Sequence, residues 1–182
     1  MKGLIFVEFL DMVGTVFSPI MVEEIIDASD LPSGGAYTTV GTYDHHELLS
    51  LIASLSKATK IPRSELEITY GQYLFKKLLH RYSELIAHTN STFEFLQQVD
   101  QHIHIEVSKL YPDAELPRFE CRMRSNNCMT MEYRSNHPFA DLAQGLILGC
   151  ALHFNETINV KRKKLAPKEG QKNVVLFTLT KV

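Results

Sequence analysis

The chain has 182 residues, 45% of them hydrophobic and 22% charged, with a formal net charge of -2. It is long enough for one domain with a sizeable core and too apolar for a disordered chain. The basic excess of a nucleic-acid binder is missing, and the apolar runs are too short to span a membrane.

The opening stretch from Met1 to Phe9 meets Glu8 and Asp11 too early for a secretory signal. It begins a front half that reads as helical. Ser18-Pro19 is a helix start, a capping hydroxyl followed by the residue that suits a first helical position. Ile20, Met21, Val22, Ile25 and Ile26 follow at helical spacing, and Leu31 to Gly35 is a loop. Asp44 with Glu47 resembles a capping box and opens a helix through Leu48, Leu51, Ile52 and Leu55. Pro62 opens another, through Leu66, Tyr70, Leu74, Leu78 and Leu79. Ser91 with Glu94 is a capping box for a helix running through Phe95, Val99, Ile103 and Leu110 to about Pro112.

The period then changes from helix to strand. Phe119, Cys121 and Met123 alternate with polar residues, Ser125-Asn126-Asn127 is a turn, and Met129, Met131 and Tyr133 alternate again, which is a β-hairpin. A helix follows Pro138, carrying Leu142, Leu146, Cys150 and Phe154. A second strand pair closes the chain, Ile158 with Val160 and then Val174 to Leu179. A helical front followed by strand-strand-helix-strand-strand is an α+β layout with a four-stranded antiparallel sheet.

Signatures of the common nucleophile, phosphate and zinc-hydrolase sites are missing. Three cysteines, Cys121, Cys128 and Cys150, without an export signal suit a reducing cytoplasm. In a hairpin turning at 125–127, Arg124 faces Cys128 and Cys121 faces Met131, so the two thiols are not neighbours. Cys150 and His153 share a helix face, which reads as core packing rather than half of a metal site. Among the eight histidines, His102 and His104 lie about 200° apart around one helix and cannot serve one site together. Both have apolar neighbours, and periodicity does not choose between them. Tyr133, Ser135 and His137 stand at every second position where a strand meets a helix. They read either as donors for carboxylates or as the polar edge of a strand end. Lys161 to Lys164 reads as a solvated strand end or as a dock for an acidic partner.

Over nearly its whole length the sequence resembles the H-NOX (haem–nitric oxide/oxygen binding) family, which includes the haem domain of soluble guanylate cyclase. The residues that carry the resemblance are Met1-Lys2-Gly3-Leu4-Ile5, Tyr70-Gly71-Gln72, Ile103 to Pro112, Leu116-Pro117, Tyr133-x-Ser135 and Gly145-Leu146. The resemblance implies haem b as cofactor and His104 as the ligand of its iron, a role His102 does not match. It implies that Tyr133 and Ser135 grip the haem propionates, that Pro117 presses on the porphyrin and that Ile5 lies at the haem edge. The third propionate position is His137 where the family has arginine, a permanent two-pronged cation. Oxygen-binding members place a tyrosine donor where this chain has Leu142, and the other distal positions, Phe9, Leu74, Leu78 and Leu146, offer none. That pocket favours nitric oxide, which needs no hydrogen bond, and carbon monoxide is expected to bind as well.

The resemblance thus implies a single domain over 1–182, with an N-terminal helical subdomain at 1–60 and a haem-cradling subdomain at 61–182. It implies a cytoplasmic gas sensor of the stand-alone bacterial type, without catalysis. Its signal would pass through a weakened iron–histidine bond to a histidine kinase or to a cyclic-di-GMP synthase or phosphodiesterase. The alternative is a haem-free or redox-responsive interaction scaffold of the same fold.

Overall fold

The computed structural model describes residues 1–167 and 170–182. Its front half contains α1 (Gly3–Val16), α2 (Pro19–Asp27), α3 (His45–Thr59) and α4 (Arg63–Arg81). Local chemistry sets their starts. Ser18 Oγ accepts from Met21 N at 3.1 Å, and Asp44 Oδ1 accepts from His46 N at 2.9 Å. These bonds satisfy amides that have no partner inside the helix. Glu47 does not complete a box with Asp44. Its carboxylate turns instead to the 31–35 loop region, where Tyr37 Oη donates to it at 2.9 Å and Ser33 Oγ donates as well.

The helix expected from Ser91 to Pro112 is broken into three pieces. α5 (Thr92–Gln98) starts on a reciprocal box, with Glu94 N donating to Ser91 Oγ at 3.3 Å and Asn90 N to Glu94 Oε2 at 2.9 Å. A π-turn, Val99–Ile103, follows, and α6 (His104–Leu110) completes the run. The extra residue of a π-turn rotates the side chains beyond it. Here the turn carries Asp100 to the sheet, where Oδ1 accepts from Phe119 N at 3.1 Å.

The sheet has β1 (Arg118–Ser125), β2 (Cys128–Ser135), β3 (Ile158–Lys164) and β4 (Asn173–Lys181), antiparallel in the order β1-β2-β4-β3. Between the two strand pairs lies α7 (Ala140–His153). The hairpin turns over two residues, Asn126-Asn127, so Ser125 rather than Arg124 pairs with Cys128, and the register slips after Met123. Cys121 still faces Met131, so the thiols stay apart. All three cysteines are free.

Two cores meet at α7. Met129, Met131 and Tyr133 of β2 alternate inward and pack with Phe177 and Leu179 on α5 and α7. The other core joins α1, α2 and α3 to Leu66, Tyr70 and Leu74 of α4 and to Phe139 and Leu142. α4 and α7 cross almost backbone to backbone. A Cβ on Gly145 would lie 2.2 Å from Ile68 O, and one on Gly71 would lie 2.4 Å from Leu142 O. Among the described residues, no helix is long and apolar enough to cross a membrane.

Candidate functional site

The crossing of α4 and α7 gathers six of the sequence-predicted residues into one apolar wall. Phe9 of α1, Leu74 of α4 and Leu142 of α7 are buried in one cluster. Ile5, Leu78 and Leu146 pack on it half-buried. No charged or amide group is among them. Sequence reasoning passed over one hydroxyl nearby, that of Tyr70, whose ring meets Phe9 edge-on at 5.2 Å. Its Oη already donates to Ile5 O at 2.5 Å, and burial holds its pKa well above the ordinary value.

His104 opens α6. Its side chain is 18% exposed, whereas His102 is exposed to solvent. The His104 ring packs on Phe119 at 5.7 Å, and Phe119 packs on Tyr133 at 5.6 Å. His104 Nδ1 is buried without a hydrogen bond. It lies 3.7 Å from Asp100 Oδ1, an electrostatic contact too long for a hydrogen bond. Burial pushes the His104 pKa down, against the opposing pull of Asp100 and of the Pro117 backbone, which keeps the ring neutral. Asp100 is a residue that sequence reasoning missed. Its i, i+4 spacing to His104 was a signal, although the π-turn that aims it was not.

Tyr133 and Ser135 are buried at the end of β2. Both are tied to the backbone of His137 just beyond the strand. Tyr133 Oη donates to His137 O at 3.2 Å, and His137 N donates to Ser135 Oγ at 3.0 Å. His137 is therefore brought to the two hydroxyls by a turn rather than by strand alternation. Its Nε2 lies 2.9 Å from a carboxylate oxygen of exposed Glu115. Both ring nitrogens are buried, and neither makes a hydrogen bond. Arg134 does not reach this side. It is held on the opposite face of the sheet by Glu120 and by Glu132, the latter at 2.6 Å. A further imidazole that no sequence spacing signals, His45, stacks on His137 with ring centroids 4.1 Å apart.

The residues present fit a haem. A mostly buried, neutral imidazole backed by a carboxylate suits a ligand to haem iron, and the apolar wall suits a porphyrin face. Glu115 places a carboxylate oxygen 2.9 Å from His137 Nε2, so that ring is open to a carboxylate. A separate polar cleft of about 670 Å³ runs along β1 past Asp100, Arg118 and Arg134 and touches none of the apolar wall. Asp44, His45 and His46 offer ligand atoms within 4.8 Å of one another, but Asp44 Oδ1 already accepts from the His46 backbone. Cys121 is pushed up to about 12 by burial, and Cys150 is raised by burial as well.

The α+β fold, with helices crossing beside a four-stranded antiparallel sheet, is that of H-NOX structures. The haem-NO-binding family model matches residues 2–162, and the chain belongs to that family. These are sensor domains for gases that bind haem. Among solved structures, the chain is similar to the unliganded Fe(II) H-NOX protein of K. algicida, with 38% identity and a TM-score of 0.91 over 100% of this chain and 97% of that one. An H-NOX from Shewanella woodyi, bound to IWP-051 in the Fe(II)CO state, shares 35% identity at a TM-score of 0.82, covering 100% and 95% of the two chains. An S. oneidensis H-NOX in the Fe(II)NO state shares 25% identity at a TM-score of 0.88, covering 100% and 99%. No curated protein matches the chain.

Proposed function

We propose that the protein is a nitric oxide sensor holding haem b, with His104 as the protein's ligand to iron. The observation that carries this reading is the mostly buried, neutral His104 ring, with Asp100 3.7 Å from its Nδ1, on a short helix next to a π-turn. When bound, haem would supply a ferrous iron able to take a diatomic gas, with the His104 imidazole as the protein's ligand, and the signal would be a weakening of that histidine's hold. The chain's own residues do the rest. Ile5, Phe9, Leu74, Leu78, Leu142 and Leu146 exclude water and offer no donor to the gas. Tyr133, Ser135 and His137 receive the propionates, and Pro117 bears on the porphyrin. Asp100, 3.7 Å from Nδ1, would take that N–H and leave Nε2 for iron, as a carboxylate behind a ligating histidine does.

Once released, His104 leaves α6 held chiefly by its neighbours. Ile105 and Leu110 on that helix are 50% and 61% exposed, apolar surface available to a partner. A shift of α6 on release would supply the second state that signalling requires. The partner is a histidine kinase or a cyclic-di-GMP synthase or phosphodiesterase, in a cytoplasmic pathway without catalysis by this chain. The redox-responsive alternative is weakened by Cys121 and Cys150, whose raised pKa values leave little reactive thiolate.

The test is the visible spectrum of protein loaded with haem. His104→Gly is expected to lose axial ligation and regain it with added imidazole, while His102→Ala keeps the wild-type spectrum. An unchanged ferrous spectrum in pure His104→Gly protein would refute the assignment. Failure of the wild type to take haem would favour the scaffold reading.

A further inference from the structure

We propose that His45 is a second anion-binding imidazole that works with His137 to hold a haem propionate, in the place filled by a single arginine elsewhere in the family. The inference rests on the haem reading above and adds a residue to it that lies far away in sequence, on another core. His45 is the first residue of α3, and its ring lies over the His137 ring at 4.1 Å and 45°. Only 18% of its side chain is exposed. The 15-residue α3 directs its positive N-terminal end to the same place. His137 in turn has a carboxylate, that of Glu115, 2.9 Å from Nε2. Two imidazoles in tilted contact, one with Asp44 3.3 Å from Nδ1 and the other beside Glu115, together offer a carboxylate more than one N–H, as a guanidinium does in one group.

Charge makes the arrangement conditional. The groups facing His45 are His137 from the end of β2, Asp44 and His46 from the start of α3, and the amino terminus at Met1. Phe139 closes a further side, and Glu115 reaches in from the segment between α6 and β1. Burial first, then His137 and His46, push the His45 pKa below its usual value, and Asp44 opposes them only in part. Without a ligand the ring is therefore neutral at physiological pH. A propionate carboxylate favours the charged ring and raises its pKa. The sign follows from linkage. A group whose pKa is higher in the bound state strengthens binding fully below its free value, and the gain is lost as pH rises through the bound value. Haem is thus held most tightly in mild acid. Glu115, 71% exposed, competes for His137 and yields to solvent when a propionate arrives.

The experiment measures haem transfer from the loaded protein to excess apomyoglobin across pH, with iron protoporphyrin IX and with its dimethyl ester, which has no carboxylates. His45→Ala is expected to lose protoporphyrin iron about 10-fold faster than wild type at about pH 6, with the gap closing above about pH 8. The ester is expected to leave both proteins at the same rate. His88→Ala, altered at an exposed ring in the 82–91 segment, should behave as wild type. His45→Arg should retain haem and flatten the pH dependence, which keeps the test open if the alanine variant folds poorly. Equal transfer from wild type and His45→Ala, or a loss of ester as large as the loss of the acid form, overturns the inference while the haem reading stands. A wild-type pH slope in His45→Arg overturns it too. If wild type takes up neither porphyrin, the haem reading itself fails and the inference falls with it.

Discussion

Glu67 is a buried carboxyl with a measurable cost. It sits on α4 at 6% exposure, with Oε2 buried and without a partner. Burial and then the nearby Asp141 push its pKa up to about 7 from 4.5, while the Leu142 backbone N–H, Arg162 and Arg63 pull the other way. The folded protein therefore keeps this proton where the unfolded chain has released it. Stability is greatest below about 4.5, falls as pH rises towards about 7 and is level beyond, a total of at most about 3 kcal/mol. Glu67→Gln keeps an acceptor for the Leu142 amide and removes the charge. Urea unfolding at about pH 5 and about pH 8 should show the wild type losing stability between the two and the variant holding level. Equal slopes would mean that water reaches the carboxyl. At this scale the sequence was legible wherever a residue acts through near neighbours. Ser18 and the Ser91–Glu94 pair cap as spacing predicts. Glu47, Tyr70 and His45 were not legible, because their partners at Ser33, Ile5 and His137 are set only when the chain folds back.

At the scale of elements, the crossing of α4 and α7 holds the apolar wall together, and two effects on it oppose each other. Alanine outranks glycine in a helix by about 1 kcal/mol, so propensity alone would make Gly145→Ala stabilising. The added Cβ, however, would stand 2.2 Å from Ile68 O and 2.8 Å from Gly71 Cα, both backbone atoms that no rotamer change moves. Parting the helices strips contacts from Leu74 and Leu142, so the expected net loss is about 2–3 kcal/mol. Thermal unfolding reads the sign directly, and a higher melting temperature would show that the helices slide apart freely. Element types and order follow from period, because apolar residues recur at 3.6 in the front half and alternate from Phe119 onward. The break before His104 does not follow from period. A π-turn adds one residue without disturbing the apolar count, and what accompanies it is a distant contact, the Asp100 bond to Phe119 N at 3.1 Å. The slip of the hairpin between Met123 and Ser125 was hidden in the same way, since turns of two and three residues read alike in Ser125-Asn126-Asn127.

At the scale of the whole molecule, the question is which gas the assembled wall admits. Oxygen on ferrous haem is polar and gains from a hydrogen bond, while nitric oxide and carbon monoxide bind without one. The wall draws on α1, α4 and α7, and a buried hydroxyl beside it, that of Tyr70, is committed to Ile5 O at 2.5 Å. Freeing that hydroxyl would strand a buried carbonyl at a cost of about 1–3 kcal/mol, more than a neutral hydrogen bond to the gas would return. The ferrous protein is therefore expected to bind nitric oxide and carbon monoxide and to form no lasting oxygen complex in air. Leu142→Tyr would place a hydroxyl where oxygen-binding members have one. Phe9 and Leu74 have nothing to orient it, so the single change is expected to lower stability by about 1–3 kcal/mol without conferring oxygen binding. Absorption spectra of both ferrous proteins before and after mixing with air-saturated buffer, alongside their unfolding curves, check both halves. A persistent oxy-type spectrum in the wild type would mean that Tyr70 leaves Ile5 to serve the ligand, and Tyr70→Phe would then abolish it.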